Sequence, residues 1–309
     1  MRVLRGLAVS VFILAAMLAV TAPAAAQGRG GRGGPPTPEQ VAAQAAWQPL
    51  HDMALKYKTG LDLYNALKTA ARGGQVNPPY AQLPDWAGLW AVARGGTGFV
   101  AASPGGVMPK LTPAAQAKIK ENAELAARGA SYQENISDCG PPGYPMWLGI
   151  PFNREFIVRP EQTWLTSETV NNVRRIYTDG RNHPPLDDRF PLYYGDSIGF
   201  WDGRKLVVHT SQLKARSLAG RLNNGEDMET VEVWEQIDPQ TIETKVWLYD
   251  PAVYVEPWFV TRRYARVANA DHRIRLNYWF CQENPNNEVF RTPEGSTQYK
   301  DFEFTKPQK

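Results

Sequence analysis

Cysteine is almost missing from this chain: Cys139 and Cys281 are the only two in 309 residues. At most one intrachain disulfide is therefore possible. Histidine is nearly as scarce, at four residues, with no His-x-His or His-x-x-x-His pair and with scattered carboxylates, so no metal-ligand spacing is present. There is no Gly-x-Gly-x-x-Gly fingerprint, phosphate loop or Gly-x-Ser-x-Gly elbow, which disfavours a nucleotide-dependent enzyme or a serine hydrolase. No cofactor is expected. Charge of one sign is also lacking: 34 basic against 31 acidic residues leave +3, scattered rather than gathered into the basic patch of a nucleic-acid binder. Beyond the N-terminus, no stretch approaches the roughly 20 apolar residues of a spanning helix.

What the chain does contain begins with a leader. Arg2 and Arg5 precede the apolar run Leu7 to Val20, and Ala24-Ala25-Ala26 supplies small residues for cleavage. This predicts a secretory signal peptide over 1–26 and a periplasmic or secreted product of about 280 residues. In an oxidising compartment the Cys139/Cys281 pair is expected to form one disulfide, worth at most about 4–5 kcal/mol by chain entropy. A catalytic thiol is the alternative, with no histidine beside either cysteine. Residues 27–36 read as a flexible Gly/Arg/Pro tether. Residues 37–82 read as a helical extension, with one helix from the Thr37-Pro38 start to about Lys58 and another over Leu61 to Ala71. A third helix opens at Leu111-Thr112-Pro113 and ends at Gly129.

From residue 83 onward the pattern is β. Short turns at Pro160-Glu161-Gln162, Asp202-Gly203 and Asp238-Pro239-Gln240 separate β-type segments that pair as hairpins, and a fourth hairpin is expected from Phe259–Val267 with Arg273–Cys281; Thr241–Tyr249 and Arg273–Cys281 alternate apolar with polar residues. About eight strands in consecutive hairpins predict an antiparallel up-and-down barrel over 83–309, because closure removes the exposed edges. Abundant aromatics, with 10 Trp, 13 Tyr and 11 Phe, suit a sheet that encloses apolar space or simply a well-filled core.

Gly88-Leu89-Trp90 resembles the Gly-x-Trp start of the lipocalin barrel, where the Trp plugs the base. A wider set of motifs recurs in one order: Pro84-Asp85, Leu111-Thr112-Pro113, Cys139 before Pro-Pro-Gly-Tyr-Pro, Arg174-Arg175-Ile176-Tyr177-Thr178-Asp179-Gly180-Arg181-Asn182-His183-Pro184, Ser197-Ile198-Gly199-Phe200-Trp201, Asp250-Pro251, Pro257-Trp258 and Cys281-Gln282-Glu283-Asn284. The chain thereby resembles a large, mostly uncharacterised family of secreted bacterial proteins, from about Leu83 to Asn284. That family carries no secure function to transfer. His209 departs from it, standing where the pattern usually reads Asp after Leu-Val-Val.

The candidate chemistry centres on Asp179, Arg181 and His183, which offer a base, a fixed cation and a group that titrates near neutrality, with Tyr177 and His209 beside them. A turn held by an Asp–Arg ion pair explains the first two equally well. Tyr193, Tyr194, Trp201, Asp250, Tyr254 and Trp258 are candidate ligand-lining residues, or core filling and turn formers. Two functions stay open: a carrier of a small apolar or aromatic molecule in the barrel, and a cofactor-independent lyase, isomerase or hydratase using Asp179 or His183 as base and Arg181 as electrostatic stabiliser. A surface interaction protein ranks third. Oligomeric state is not legible.

Overall fold

The computed structural model describes residues 38–93, 109–128, 139–188, 190–214, 217–218, 222–268, 276–279, 289–291 and 297–299. The leader, the tether, the Thr37 cap and Cys281 lie outside these residues.

Nine strands close into a barrel: β1 (Leu89–Val92), β2 (Arg154–Val158), β3 (Gln162–Ser167), β4 (Asn172–Tyr177), β5 (Asp196–Asp202), β6 (Lys205–Ser211), β9 (Glu229–Asp238), β10 (Thr241–Tyr249) and β11 (Trp258–Arg266). Two small hairpins stand apart, β7 (Ser217–Leu218) with β8 (Leu222–Asn223), and β12 (Val289–Arg291) with β13 (Thr297–Tyr299). The turn-based hairpins β2–β3, β5–β6 and β9–β10 form where turn chemistry placed them. Closure comes from β1, which pairs with β11 on one side and β2 on the other.

Two features differ from the expected meander. β4 and β5 run parallel and share one pair, Tyr177 with Ile198. The chain therefore returns after β4 to start β5 at the same end, and the rest of the β4–β5 seam is filled from elsewhere. Gln75 exchanges both backbone hydrogen bonds with Trp201, each 2.8 Å, and Asn77 donates to the Thr178 carbonyl at 2.7 Å. Gly74 makes that insertion possible, since at φ 68 a Cβ there would fall 2.2 Å from the Phe200 ring.

The second difference concerns the expected partner strand Arg273–Cys281. Its described residues, 276–279, are irregular. Side chains hold them in place: Asn277 N–H donates to Glu168 Oε1 at 3.0 Å and Trp279 N–H to Asn171 Oδ1 at 2.9 Å. With β1 and β10 on either side of β11, no ladder position is left for a further strand.

α1 (Pro38–Ala54) and α2 (Gly60–Ala70) cover one outer wall. α1 is pinned by indole and phenol donors: Trp47 Nε1 to the Phe259 carbonyl at 3.0 Å, Trp247 Nε1 to Leu50 O at 2.9 Å and Tyr249 OH to Ala54 O at 3.0 Å. It ends at Ala54, short of Lys58. α2 starts with a full capping box in which Thr59 Oγ1 accepts from Asp62 N–H and the Asp62 carboxylate from Thr59 N–H. α3 (Pro113–Ala127) is capped by Thr112, whose hydroxyl oxygen accepts from Ala115 N–H at 3.2 Å. None of the described helices is long and apolar enough to cross a membrane.

The strands' alternation divides apolar residues into two clusters. Leu206, Val208, Trp234, Val246 and Val260 point inward, whereas Val207, Val231, Trp247 and Phe259 point outward beneath α1 and α2. Trp90 is fully buried at the base, donates Nε1–H to Trp86 O at 2.9 Å, and carries the Arg266 guanidinium over its ring at 4.2 Å. At the other end, residues 143–149 fold in so that Trp147 and Leu148 are fully buried.

Candidate functional site

The polar block after β4 separates into two arrangements. Asp179 and Arg181 pair with each other: Arg181 Nε donates to Asp179 Oδ1 at 3.0 Å and Nη2 to Oδ2 at 2.6 Å. The guanidinium also lies 3.9 Å above the Tyr177 ring. Hydrogen bonding from Arg181 holds the Asp179 carboxyl below the usual carboxylate range. The Arg181 side chain is half exposed and its charge is already matched. This is a self-satisfied surface turn.

His183 leaves that turn and meets His209 across the outer wall. Its Nε2 lies 2.7 Å from His209 Nδ1, while its Nδ1 makes a very short contact with Asp196 Oδ1. On the far side, His209 Nε2 faces Glu229 Oε2 at 3.5 Å and has no closer partner. The result is a chain of four groups, Asp196–His183–His209–Glu229, drawn from the start of β5, the crossover, β6 and the start of β9. Ile198, His209 and Val231 are register partners across three strands, which puts the histidine in the middle of the wall. Tyr64 of α2 covers it, ring centroids 5.7 Å apart.

Burial lowers the His209 pKa despite the pull of Glu229. Glu229 is held below the usual range: burial would raise it, but His209 and the first backbone N–H groups of α2 together outweigh that effect. Leu61 N–H donates to Glu229 Oε2 at 3.0 Å. The 2.7 Å contact between the two rings holds one proton, on His183 Nε2 or on His209 Nδ1 according to the tautomer. The tautomer with the proton on His209 Nδ1 leaves a lone pair at Nε2, 3.5 Å from Glu229 Oε2. One added proton there links both carboxylates through an imidazolium, so the array can store or pass a proton. Among the described residues no group of three or more His, Cys, Asp or Glu is placed to hold a metal ion.

A second polar cluster, missed by the sequence reading, fills the barrel interior. Arg174, not Arg175, points inward and binds Glu232 bidentately at 2.9 and 2.6 Å. Thr210 Oγ1 and Ser197 Oγ accept from the same guanidinium, at 2.7 and 3.2 Å, Trp234 Nε1–H donates to Glu232 at 2.8 Å, and the Tyr144 ring caps Arg174 at 3.9 Å. Both charged side chains are at most 1% exposed. Arg154 is also fully buried, donating to the carbonyls of Trp147, Ile150 and Phe152. The signal was available: Arg174 shares a strand face with Ile176, and Glu232 with Trp234.

The remaining candidates are dispersed. Trp201 is interior, 5.8 Å from Trp86. Tyr254 and Trp258 pack together at 5.3 Å, at the end where β11 begins. Asp250 holds a loop by accepting Gly225 N–H at 3.0 Å, and burial raises its pKa. Tyr194 packs against the interior, and Tyr193 lies under the Lys214 ammonium at 5.0 Å. Cys139 takes φ 57 before the turn-rich chain. Asp196 and Glu229 were not singled out, because only strand register brings them to the histidines.

A concave site lies at the base. A half-open cleft of about 560 Å³ is walled by Tyr80, Leu83, Trp86, Phe156, Ile157 and Val158, with Asp85 and Glu155 at its polar margin. Trp86 is 1% exposed and its Nε1–H has no acceptor. No family model matches the chain, and no curated protein matches it.

Proposed function

We propose that this is an exported binding protein that holds a small aromatic or apolar molecule, bearing one hydrogen-bond acceptor, in the cleft at the barrel base. The observation that carries this reading is the half-open cleft of about 560 Å³ with aromatic residues in its wall, one of which, Trp86, keeps a buried N–H without an acceptor. A buried donor without an acceptor costs free energy that a ligand oxygen would recover. The ligand sits beside the barrel, since the interior is occupied by aromatic side chains and the Arg174–Glu232 network. Export and a Cys139–Cys281 bridge belong to the same reading, supported by the leader-type N-terminus. So does membership of the secreted bacterial family, on the strength of the Arg-Ile-Tyr to His-Pro block.

Fluorescence titration with 1-naphthol, an aromatic carrying one acceptor oxygen, tests it. Saturable binding is expected, weakened at least about tenfold by Ile157→Glu, which sets a charge in the apolar wall. Trp86→Phe should weaken it less. Ile157 is 40% exposed, so the first variant should fold normally. Unchanged affinity in Ile157→Glu would refute the cleft.

A second reading, a cofactor-independent lyase, isomerase or hydratase, is favoured by the 2.7 Å contact between His183 and His209 with a carboxylate at each end. General acid–base chemistry needs a group that gains and loses a proton near neutrality, held in a fixed direction. Here Arg181 would have to leave Asp179 to stabilise an anion. A solvent-exchange assay on ketone substrates in deuterated buffer, comparing wild type with His183→Ala, would detect such chemistry.

A further inference from the structure

Beside the Glu229 end of the histidine chain lies a separate cavity of about 220 Å³, bounded by Pro191, Ser211, Gln212, Glu226, Asp227 and Glu229. We propose that it is a binding site for a small hydroxylated amine, with the ammonium against the carboxylates and the hydroxyl on Ser211 and Gln212. This goes beyond the cleft reading and does not depend on it.

Among the described residues that line the cavity, the charge is one-sided. Glu226, Asp227 and Glu229 bring three carboxylates to a small space, and among the described residues neither Glu226 nor Asp227 has an ion-pair partner. Glu226 and Asp227 are exposed, which opens the site to solvent. Carboxylates alone would not define a site. The independent observation is a pair of buried polar groups left without partners in the same wall: Ser211, 5% exposed, has no partner for its hydroxyl, and Gln212, 8% exposed, has none for its amide N–H₂.

Their placement is fixed. Ser211 ends β6 on the face that also carries Val207 and His209. Gln212 follows at φ 58, with its backbone carbonyl accepting from Leu192 N–H at 2.9 Å and its Oε1 from Phe190 N–H at 3.2 Å. With Oε1 engaged, the amide orientation is set and the N–H₂ group is the free end. The loop opposite is anchored too, by Gly225 N–H on the Asp250 carboxylate.

These groups ask for a cation beside a neutral oxygen. Charge-assisted hydrogen bonds to carboxylates suit an ammonium, and a neutral hydroxyl can accept from Gln212 while exchanging a hydrogen bond with Ser211. A carboxylate-bearing zwitterion is disfavoured by three like charges, and the volume limits the ligand to a few carbons.

A matched pair of probes tests the idea: 2-amino-1,3-propanediol against glycerol, which has the same carbon skeleton with hydroxyl in place of the amine. Binding is followed by amide chemical-shift changes of the full-length mature protein. The amine should bind at least about tenfold more tightly than glycerol, because hydrogen bonds between charged partners contribute more than one decade of affinity. The double variant Glu226→Gln/Asp227→Asn, at exposed positions, should remove that preference, and Ser211→Ala should weaken both probes. Equal affinity for the two probes, no response to either, a preference that survives the double variant, or shifts produced only by calcium chloride would each overturn the proposal.

Discussion

Strands β6 and β9 carry two polar constellations, one on each face, and the two differ in completeness. Inside the barrel, Thr210 and Glu232 join Arg174, Ser197 and Trp234 in a network where both carboxylate oxygens are used and both charges are fully desolvated. Outside, one residue earlier on each strand, His209 and Val231 face α2, and the histidine leads to Glu229 through a loose 3.5 Å contact next to a solvent-open cavity. A closed network is spent on holding the barrel, whereas an open-ended one retains capacity to bind or to titrate.

The largest effect is expected inside. Glu232→Leu leaves the Arg174 charge buried and unpaired, which should cost about 3–5 kcal/mol in urea unfolding. Adding Arg174→Leu should recover most of that loss, since desolvation of the pair offsets much of its attraction. A single variant that costs under about 1 kcal/mol would mean the interior is wetter and less closed than argued.

Next comes Gly60→Ala. The added Cβ would lie 2.9 Å from Glu229 Cβ and 3.4 Å from His209 Nε2. Overpacking of this kind costs about 1–3 kcal/mol. It should also shift the His209 imidazole resonances while leaving the Trp234 indole signal in place, because the two faces are separated by the sheet.

The pH dependence of stability should belong to the outer face. His209 is held neutral by burial, so on acidification the unfolded chain takes up a proton near pH 6.5 that the folded state refuses until lower pH. Its contribution is thus complete above about pH 6.5 and is lost as pH falls through the window below it. Glu229, held low, adds a further loss below about pH 4.3. Melting temperatures from pH 8 to 5 should fall for wild type and fall less for His209→Gln; parallel curves would remove His209 from the explanation.

The smallest effect is expected at the surface turn. Asp179→Ala breaks an exposed pair and should cost no more than about 0.2–1 kcal/mol, diminishing with salt. It should leave His183 resonances unmoved, whereas Asp196→Ala should shift them. A large response at Asp179 would join the turn to the histidine chain and erase the distinction between them.

Much of the barrel was legible from local pattern. The turns read at Asp238-Pro239-Gln240 and Asp202-Gly203 close as two-residue loops at Pro239-Gln240 and Gly203-Arg204, and hairpins of this kind are specified within a few residues. Long-range choices were not: β1 and not a segment after residue 268 closes on β11, and Gln75 wedges beside Trp201 where β4 and β5 separate. The site was read only in part for the same reason. His183 and His209 stood out as rare titratable residues, but Asp196 and Glu229 look ordinary until strand register places them beside the histidines.

The order of residues alone determined the strand segments, their tight turns and the helix starts, because alternation, turn propensity and capping act between near neighbours. Tertiary structure decided which of two adjacent arginines enters the barrel, that Asp179 and Arg181 neutralise each other at the surface, and that two histidines 26 residues apart share a hydrogen bond. Those outcomes turn on register and closure, where a shift of one residue exchanges the inner face for the outer and every charge must find a partner across strands distant in sequence.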